Sequence, residues 1–177
     1  TVKSPLAAKN YQPGQIFRLQ NVAETLDKLT KPLALSPYKV DKNQGLIYFV
    51  ILKTGKSTGL CSNFKAEEEI VLMGPTGSKT YIPTSQNVIL IGEGIRNMAL
   101  LPIAQELKNQ GSKVTFFAVY NQQNDIFYME KIKAAADEAY TFILSNNSDG
   151  NKNINNLINK INEAKMSKNA YIIAYVT

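Results

Sequence analysis

Residues 88–101 read Val-Ile-Leu-Ile-Gly-Glu-Gly-Ile-Arg-Asn-Met-Ala-Leu-Leu, and no other stretch restricts the fold as tightly. Four apolar residues run directly into Gly92-Glu93-Gly94, and helix-like spacing begins at once after them. This is the pattern of a strand, a tight glycine turn and a helix N-terminus, where exposed backbone N–H groups favour a nucleotide diphosphate. Two side chains qualify it. Glu93 sits between the glycines, and Arg96 follows two residues after the second. A carboxylate there repels a diphosphate unless it turns away or pairs with Arg96. The arginine can itself hold a phosphate. Three arrangements therefore stay open: a retuned nucleotide site, a phosphate gripped by Arg96, or a Glu93–Arg96 ion pair that fills the site.

The segments after this loop alternate in type. Val88–Ile91, Val114–Val119, Tyr140–Leu144 and Tyr171–Val176 are short and apolar, as strands buried on both faces are. Between them, Leu100, Leu101, Ala104 and Leu107 give one face to a helix over Asn97–Asn109, which Gly111 stops. Ile126, Met129, Ile132, Ala136 and Ala139 predict a second helix over Ile126–Ala139. Ile154, Leu157, Ile158 and Ile161 mark a third, although eight asparagines crowd residues 146–162. Four apolar strands separated by helices make a doubly wound parallel sheet.

The chain changes character near Thr84-Ser85. Before it, Pro, Gly and Asn punctuate short segments with almost no helical periodicity. Ile16–Leu19, Pro32–Ser36, Leu46–Lys53 and Ile70–Gly74 read as strands, the third opening after a turn-like Asp41–Gly45. The expected organisation is a small antiparallel β-barrel over 1–84, followed by a parallel-sheet α/β domain over 85–177. The chain opens at Thr1 rather than a methionine and has no charged-then-apolar leader, so it reads as a fragment with no visible signal peptide.

Composition removes much chemistry. There is no histidine and one cysteine, Cys61. A Ser-His-Asp or Cys-His nucleophile, a structural zinc site and a Cys-ligated iron–sulfur cluster cannot be assembled within these 177 residues. No disulfide is possible within the chain, which fits a reducing, cytoplasmic setting. No apolar run approaches the ~18 residues of a membrane-spanning helix. An enzyme of this composition relies on a cofactor. Net charge is +6, concentrated in the first half: residues 1–85 hold eleven Lys and Arg against six Asp and Glu. That half can face a phosphate-bearing cofactor or an acidic protein. Nucleic acid fits poorly, since Arg18 and Arg96 are the only arginines and no basic run is interleaved with aromatics. Glu67-Glu68-Glu69 reads as a solvated turn.

Five segments carry a family resemblance. Pro13-Gly14-Gln15-Ile16-Phe17-Arg18-Leu19 looks like the Pro-Gly-Gln-Phe strand of the ferredoxin–NADP reductase superfamily. Lys31-Pro32-Leu33-Ala34-Leu35-Ser36 is similar to its Arg-Pro-Tyr/Leu-Ser flavin motif. Gly59-Leu60-Cys61-Ser62-Asn63-Phe64 resembles its Gly-Val-Cys-Ser-Asn-Phe segment, and Met73-Gly74-Pro75-Thr76-Gly77 its Gly-Pro-x-Gly. Gly92-Glu93-Gly94-Ile95 with Leu100-Leu101-Pro102 resembles Gly-Gly-Gly-Ile-Gly-x-Ala-Pro-Leu-Leu-Pro. That form is typical of the branch holding the dihydroorotate dehydrogenase electron-transfer subunit and the related sulfide dehydrogenase and transhydrogenase subunits. The segments keep their order over about residues 11–145.

The resemblance implies an FAD-holding barrel, with flavin between it and the parallel sheet, and a pyridine nucleotide docked on residues 92–98. Lys31, Leu33 and Ala34 stand where the family touches the pyrophosphate, the flavin ring and its N5 side. Lysine loses the bidentate fork of arginine there. Leucine replaces an aromatic, and alanine replaces a hydroxyl. With Pro32, Leu35 and Ser36 they make up the implied flavin strand. Lys53, Gly55, Lys56, Ser57, Thr58, Cys61 and Ser62 form the second phosphate region, just before a short helix predicted at Leu60–Phe64. Its hydroxyl and N–H groups suit a pyrophosphate or, equally, a helix cap. Cys61 reads as a packed thiol rather than a catalytic one. Gly92, Glu93, Gly94, Ile95 and Arg96 form the nucleotide loop. Family members that prefer NADP tend to carry Ser-Arg after the third strand of this half. Ser145-Asn146 stands there instead, which favours NAD.

The implied function is a flavin-dependent oxidoreductase or electron-transfer module. It passes reducing equivalents between NAD(H) and FAD, and on to an iron–sulfur or flavin partner, with no side-chain acid or base and no metal of its own. The alternative is a degenerate domain that keeps the fold for assembly in a larger protein, without nucleotide turnover.

Overall fold

The computed structural model describes residues 1–21, 32–55, 58–59, 61–144, 150–168 and 170–176. Their contacts separate two compact units, Thr1–Thr80 and Tyr81–Thr177.

The first unit opens with β1 (Val2–Lys3) and α1 (Pro5–Asn10). It continues through β2 (Ile16–Asn21), β3 (Leu33–Leu35), β4 (Pro37–Asp41), β5 (Leu46–Phe49) and β6 (Ile70–Thr76). These strands form two antiparallel sheets, in the orders β1-β5-β4 and β3-β2-β6. One apolar cluster joins them. Phe17 from one sheet and Ile47 from the other are fully buried with Ala7, Ala8 and Tyr11, and Val40, Phe49 and Leu72 pack around them. Ring contacts continue the cluster, Phe17 lying 5.8 Å from Tyr11 and 5.9 Å from Phe49. The small antiparallel β unit expected for this half is therefore present. Three details differ from expectation. A helix stands at Pro5–Asn10, its two buried alanines plugging the cluster. A strand not foreseen runs over Pro37–Asp41. The long apolar run starting at Leu46 ends as a strand at Phe49 instead of Lys53. The turn at 41–45 is held by the Asp41 carboxylate, which accepts from the amides of Asn43 and Gln44 at 3.0 and 2.9 Å.

The second unit contains β7 (Asn87–Glu93), α2 (Arg96–Ala99), α3 (Leu101–Asn109) and β8 (Lys113–Tyr120). α4 (Met129–Ala135), β9 (Glu138–Ile143), α5 (Gly150–Lys168) and β10 (Tyr171–Tyr175) complete it. Its four strands form a wholly parallel sheet in the order β10-β7-β8-β9. β8 is buried at every position after Lys113, which is why Val-Thr-Phe-Phe-Ala-Val-Tyr shows no alternation. Phe117 stacks on Tyr140 and Phe142 of the neighbouring strand, at 5.3 and 6.1 Å.

Helix boundaries depart from the sequence pattern for identifiable reasons. The helix expected over Asn97–Asn109 is two, interrupted at Leu100. Pro102 has no N–H to give the Met98 carbonyl, so the helical ladder cannot run through. α3 ends as expected at Gly111, whose φ of +74° turns the chain back. The amides of Gly111 and Ser112 then bond to the Lys108 and Leu107 carbonyls at 3.0 and 2.9 Å. The helix expected over Ile126–Ala139 occupies only Met129–Ala135. It cannot extend further, because Asp137 is drawn into the sheet. The Asp137 amide donates to the Val114 carbonyl at 2.9 Å, and its carboxylate accepts the Val114 amide at 2.8 Å. The asparagine-rich stretch does carry a helix, α5, and Asn153 ties it to the sheet through the Ile143 carbonyl at 2.9 Å. Among the described residues, no helix is long and apolar enough to cross a membrane.

Candidate functional site

The carboxyl end of β7 carries the candidate site of the second unit. Register places Gly92 beside Ala118 of β8 and Tyr175 of β10, and Glu93 beside Val119. The loop thus leaves the sheet at the strand ends, where open parallel sheets bind ligands. Its two glycines serve different ends. Gly94 has φ +53°, a left-handed conformation that disfavours any side chain, and a Cβ built there meets nothing within 4 Å. Space is therefore left beside its Cα. Gly92 is closed. A Cβ there meets Asn97 Oδ1 first, then Asn97 Cα at 2.9 Å and Leu100 Cδ1 at 3.0 Å.

Hydrogen bonds fix this shape. The Gly94 amide donates to the Val119 carbonyl at 2.9 Å, and the Asn97 amide donates to the Gly94 carbonyl at 3.3 Å. Asn97 Nδ2 donates to that same Gly94 carbonyl at 2.9 Å and reaches the Val119 carbonyl at 3.5 Å. Arg96 is exposed, and Glu93, Gly94 and Ile95 are half-buried. Glu93 is engaged by other groups of the protein. Asn97 went unnoticed in the sequence, where it reads as the first residue of a helix. Only its burial against Gly92 and the end of β8 gives it a role.

Beside the loop, Tyr120 ends β8, fully buried. Burial pushes its phenol above the ordinary tyrosine value of 10.0, with hydrogen bonding to the Asn97 side chain and the Phe127 backbone pulling the other way. Its hydroxyl donates to the Phe127 carbonyl at 3.4 Å. Ser145 and Asn146 lie outside the described residues.

In the first unit, Lys31 lies outside the described residues. The rest of its segment is sorted by register. Leu33 and Leu35 pair with Leu19 and Phe17 and are half-buried on that core-facing side. Ala34 pairs with Arg18 and is exposed, as are Pro32 and Ser36. Arg18 in turn pairs with Met73, so Ala34, Arg18 and Met73 form a row on the outer face of this sheet. In the sequence, Arg18 stands only as one of two arginines and as part of the Pro13–Leu19 segment, without a role at the cofactor. Its register opposite Ala34 puts a guanidinium on the same exposed face of the sheet.

In the second phosphate region, Lys56, Ser57 and Leu60 lie outside the described residues. The Thr58 hydroxyl organises what is described. Thr58 Oγ1 accepts from the amides of Thr54 and Gly55, each at 3.1 Å, and donates to the Gly55 carbonyl at 3.1 Å. Ser62 Oγ donates to the Gly59 carbonyl at 2.6 Å. Both hydroxyl protons are thus committed to the loop itself. Gly55 and Gly59 leave space beside the loop, since no atom comes within 4 Å of a Cβ built at either, but their amides are already given to Thr58 Oγ1 and the Gly55 carbonyl, at 3.1 and 2.8 Å. Cys61–Asn63 forms a single 3₁₀ turn where a short helix start was expected. Burial pushes the Cys61 thiol above its ordinary 9.0, so it is protonated at neutral pH and poorly nucleophilic. Lys53 is exposed. Space beside two glycines, a small exposed Ala34 and an outward arginine fit a phosphate-bearing aromatic cofactor. Among the described residues, no group of three or more Cys, Asp or Glu could hold a metal ion.

No family model matches the chain. It is 48% identical over 119 residues to an uncharacterized protein of Rickettsia prowazekii, spanning 67% of this chain and 16% of that one. It is 29% identical over 139 residues to the dihydroorotate dehydrogenase B (NAD(+)) electron transfer subunit homolog of Thermotoga maritima, covering 77% of this chain and 47% of that one. The corresponding subunit of Geobacillus thermodenitrificans is 28% identical over 144 residues, with 79% and 54% covered. The chain spans about half the length of these electron-transfer relatives. Among solved structures, an NADH-dependent reduced ferredoxin-NADP oxidoreductase superposes with a TM-score of 0.72 at 24% identity, covering 90% of this chain and 56% of that one. The ferredoxin-NADP+ reductase of Plasmodium falciparum gives 0.63 at 16% identity, covering 92% and 71%.

Proposed function

The chain belongs to the ferredoxin–NADP reductase superfamily, with sequence likeness to dihydroorotate dehydrogenase electron-transfer subunits, and from this we propose that it is a flavin-dependent electron-transfer module. FAD is the cofactor of the first unit, and NAD(H) binds at the loop that ends β7. The electrons pass onward to an iron–sulfur or flavin centre in the same complex or polypeptide.

The observation that carries this reading is the state of Gly94. Its backbone is left-handed and tied to the end of β8, and the space beside its Cα is empty of protein atoms, which supports a nucleotide lying along the loop at the strand ends. Arg96, exposed two residues on, supplies a cation for the pyrophosphate. Ser145-Asn146 offers no arginine for a 2′-phosphate, and Arg96 is the only arginine after residue 85, so NAD is favoured over NADP. In the first unit, Arg18 and Lys31 supply cations for the flavin phosphates. The loop that Thr58 holds in shape leaves space beside Gly55 and Gly59 for them. Flavin, when bound, supplies both hydride exchange with nicotinamide and single-electron release. The chain's residues bind, orient and exclude water. They need not move a proton, in keeping with the absence of histidine and with a Cys61 thiol held neutral by burial.

A second reading rests on Glu93. A carboxylate between the two glycines opposes a diphosphate, and a chain of this fold with its nucleotide site closed would serve assembly alone. FAD reconstitution separates the two. Purified protein given FAD and then desalted should stay yellow with flavin bands in the visible. NADH should quench or shift those bands at lower concentration than NADPH. Protein that emerges colourless contradicts the flavin reading and leaves the structural one.

A further inference from the structure

Asn97 is fully buried directly behind the glycine loop. Its Nδ2 joins two carbonyls, Gly94 at 2.9 Å and Val119 at 3.5 Å, that belong to different segments. The Gly94 amide already donates to the Val119 carbonyl at 2.9 Å, so the side chain closes a ring between the loop and the end of β8. The amide can face only one way, because a reversed Asn97 would set its oxygen against two carbonyl oxygens. Oδ1 is therefore turned toward Gly92, where it is buried with no hydrogen-bond partner. A buried oxygen without a donor is disfavoured. Leucine would fill the same space without that penalty. What asparagine adds over leucine is the Nδ2 clasp.

We infer that Asn97 is a positioning residue for the nucleotide: its clasp on Gly94 and Val119 presets the backbone of residues 92–94 in the shape that receives NAD(H). This rests on the nucleotide reading above. A loop held in its binding shape binds without first being ordered, whereas a loosened loop binds only in the fraction of molecules that have the right shape.

Three variants test it. Asn97→Asp keeps the shape but replaces the donor by an acceptor, Asn97→Leu removes both, and Asn97→Ser keeps one donor. Each is loaded with FAD and titrated with NADH, and amide hydrogen exchange is followed at Gly94. The Asp and Leu variants should bind NADH about tenfold more weakly or worse, with faster exchange at Gly94, FAD affinity within about twofold of wild type, and Ser between. If Asn97→Asp fails to fold, the Leu and Ser variants carry the comparison. Folded Leu and Ser variants that bind NADH as wild type does would overturn the inference. So would a parallel loss of FAD and NADH affinity, which marks general loosening. Wild-type protein that holds FAD but ignores NADH is a distinct result: it defeats the nucleotide reading itself, and this inference with it.

Discussion

Replacing Gly92 with alanine places a methyl group against Asn97 Oδ1, 2.9 Å from Asn97 Cα and 3.0 Å from Leu100 Cδ1. The first contact is relieved by swinging the Asn97 amide away, which breaks its bonds to the Gly94 and Val119 carbonyls. Two such bonds, one of them long, are worth about 1–2 kcal/mol together. The second contact is with backbone and can be relieved only by shifting α2 away from the strand, in a well-packed region where overpacking costs about 1–3 kcal/mol. Alanine recovers roughly 0.5–1 kcal/mol of chain entropy relative to glycine. The net expectation is a loss of about 2–3 kcal/mol, which with a urea slope of about 2 kcal/mol/M lowers the midpoint by roughly 1 M. Gly94→Ala is the control. Its Cβ meets nothing, so only the left-handed backbone is strained, at about 1 kcal/mol. Urea unfolding of both variants by far-ultraviolet circular dichroism, which reports mainly the helices of the second unit, should give the larger shift for Gly92→Ala. In an Asn97→Ala background, Gly92→Ala should become milder, since one of the two clashes is gone. An equal or smaller loss at Gly92 than at Gly94 would refute the packing described around Asn97.

Leu107→Ala, at a fully buried position of α3, should cost about 2–5 kcal/mol in the same unfolding assay, while the exposed Leu6→Ala should be near neutral. Tyr120 gives a pH dependence of known sign. Because burial raises its phenol above 10.0, the folded state resists ionisation that the unfolded state accepts. Its contribution is fully present below pH 10 and is lost as pH rises through the raised value, so Tyr120→Phe should flatten the alkaline fall of the urea midpoint. Thr58→Val removes the hydroxyl that gathers Thr54 and Gly55 and should weaken FAD binding about tenfold, as seen by flavin fluorescence titration; unchanged affinity would remove that loop from the flavin site.

The second unit was legible because its two central strands are buried, while the edge strands β9 and β10 are only half-buried or exposed along their length, against the expectation for them. Val88–Ile91 and Val114–Val119 show as unbroken apolar runs, and each run bounds its strand to within two residues. The end of α4 was not, because it depends on a distant partner. Nothing local in Ala134-Ala135-Ala136-Asp137 announces that Asp137 will pair with Val114. The first unit hides more. Pro5–Asn10 is too short for helical spacing to register, and only two of its side chains are buried. At the site, the motif segments gave the loop and the strand. Two side chains emerge only from register and burial, each in its own unit: Asn97 beneath Gly92, and Arg18 across from Ala34.

The central claim is that reducing equivalents pass between a pyridine nucleotide and a flavin held by this chain. Anaerobic titration of the FAD-loaded protein with NADH tests it most directly. The account predicts loss of the oxidised flavin bands at near-stoichiometric NADH, with NADPH far less effective. Flavin bands unaltered by either nucleotide would contradict it.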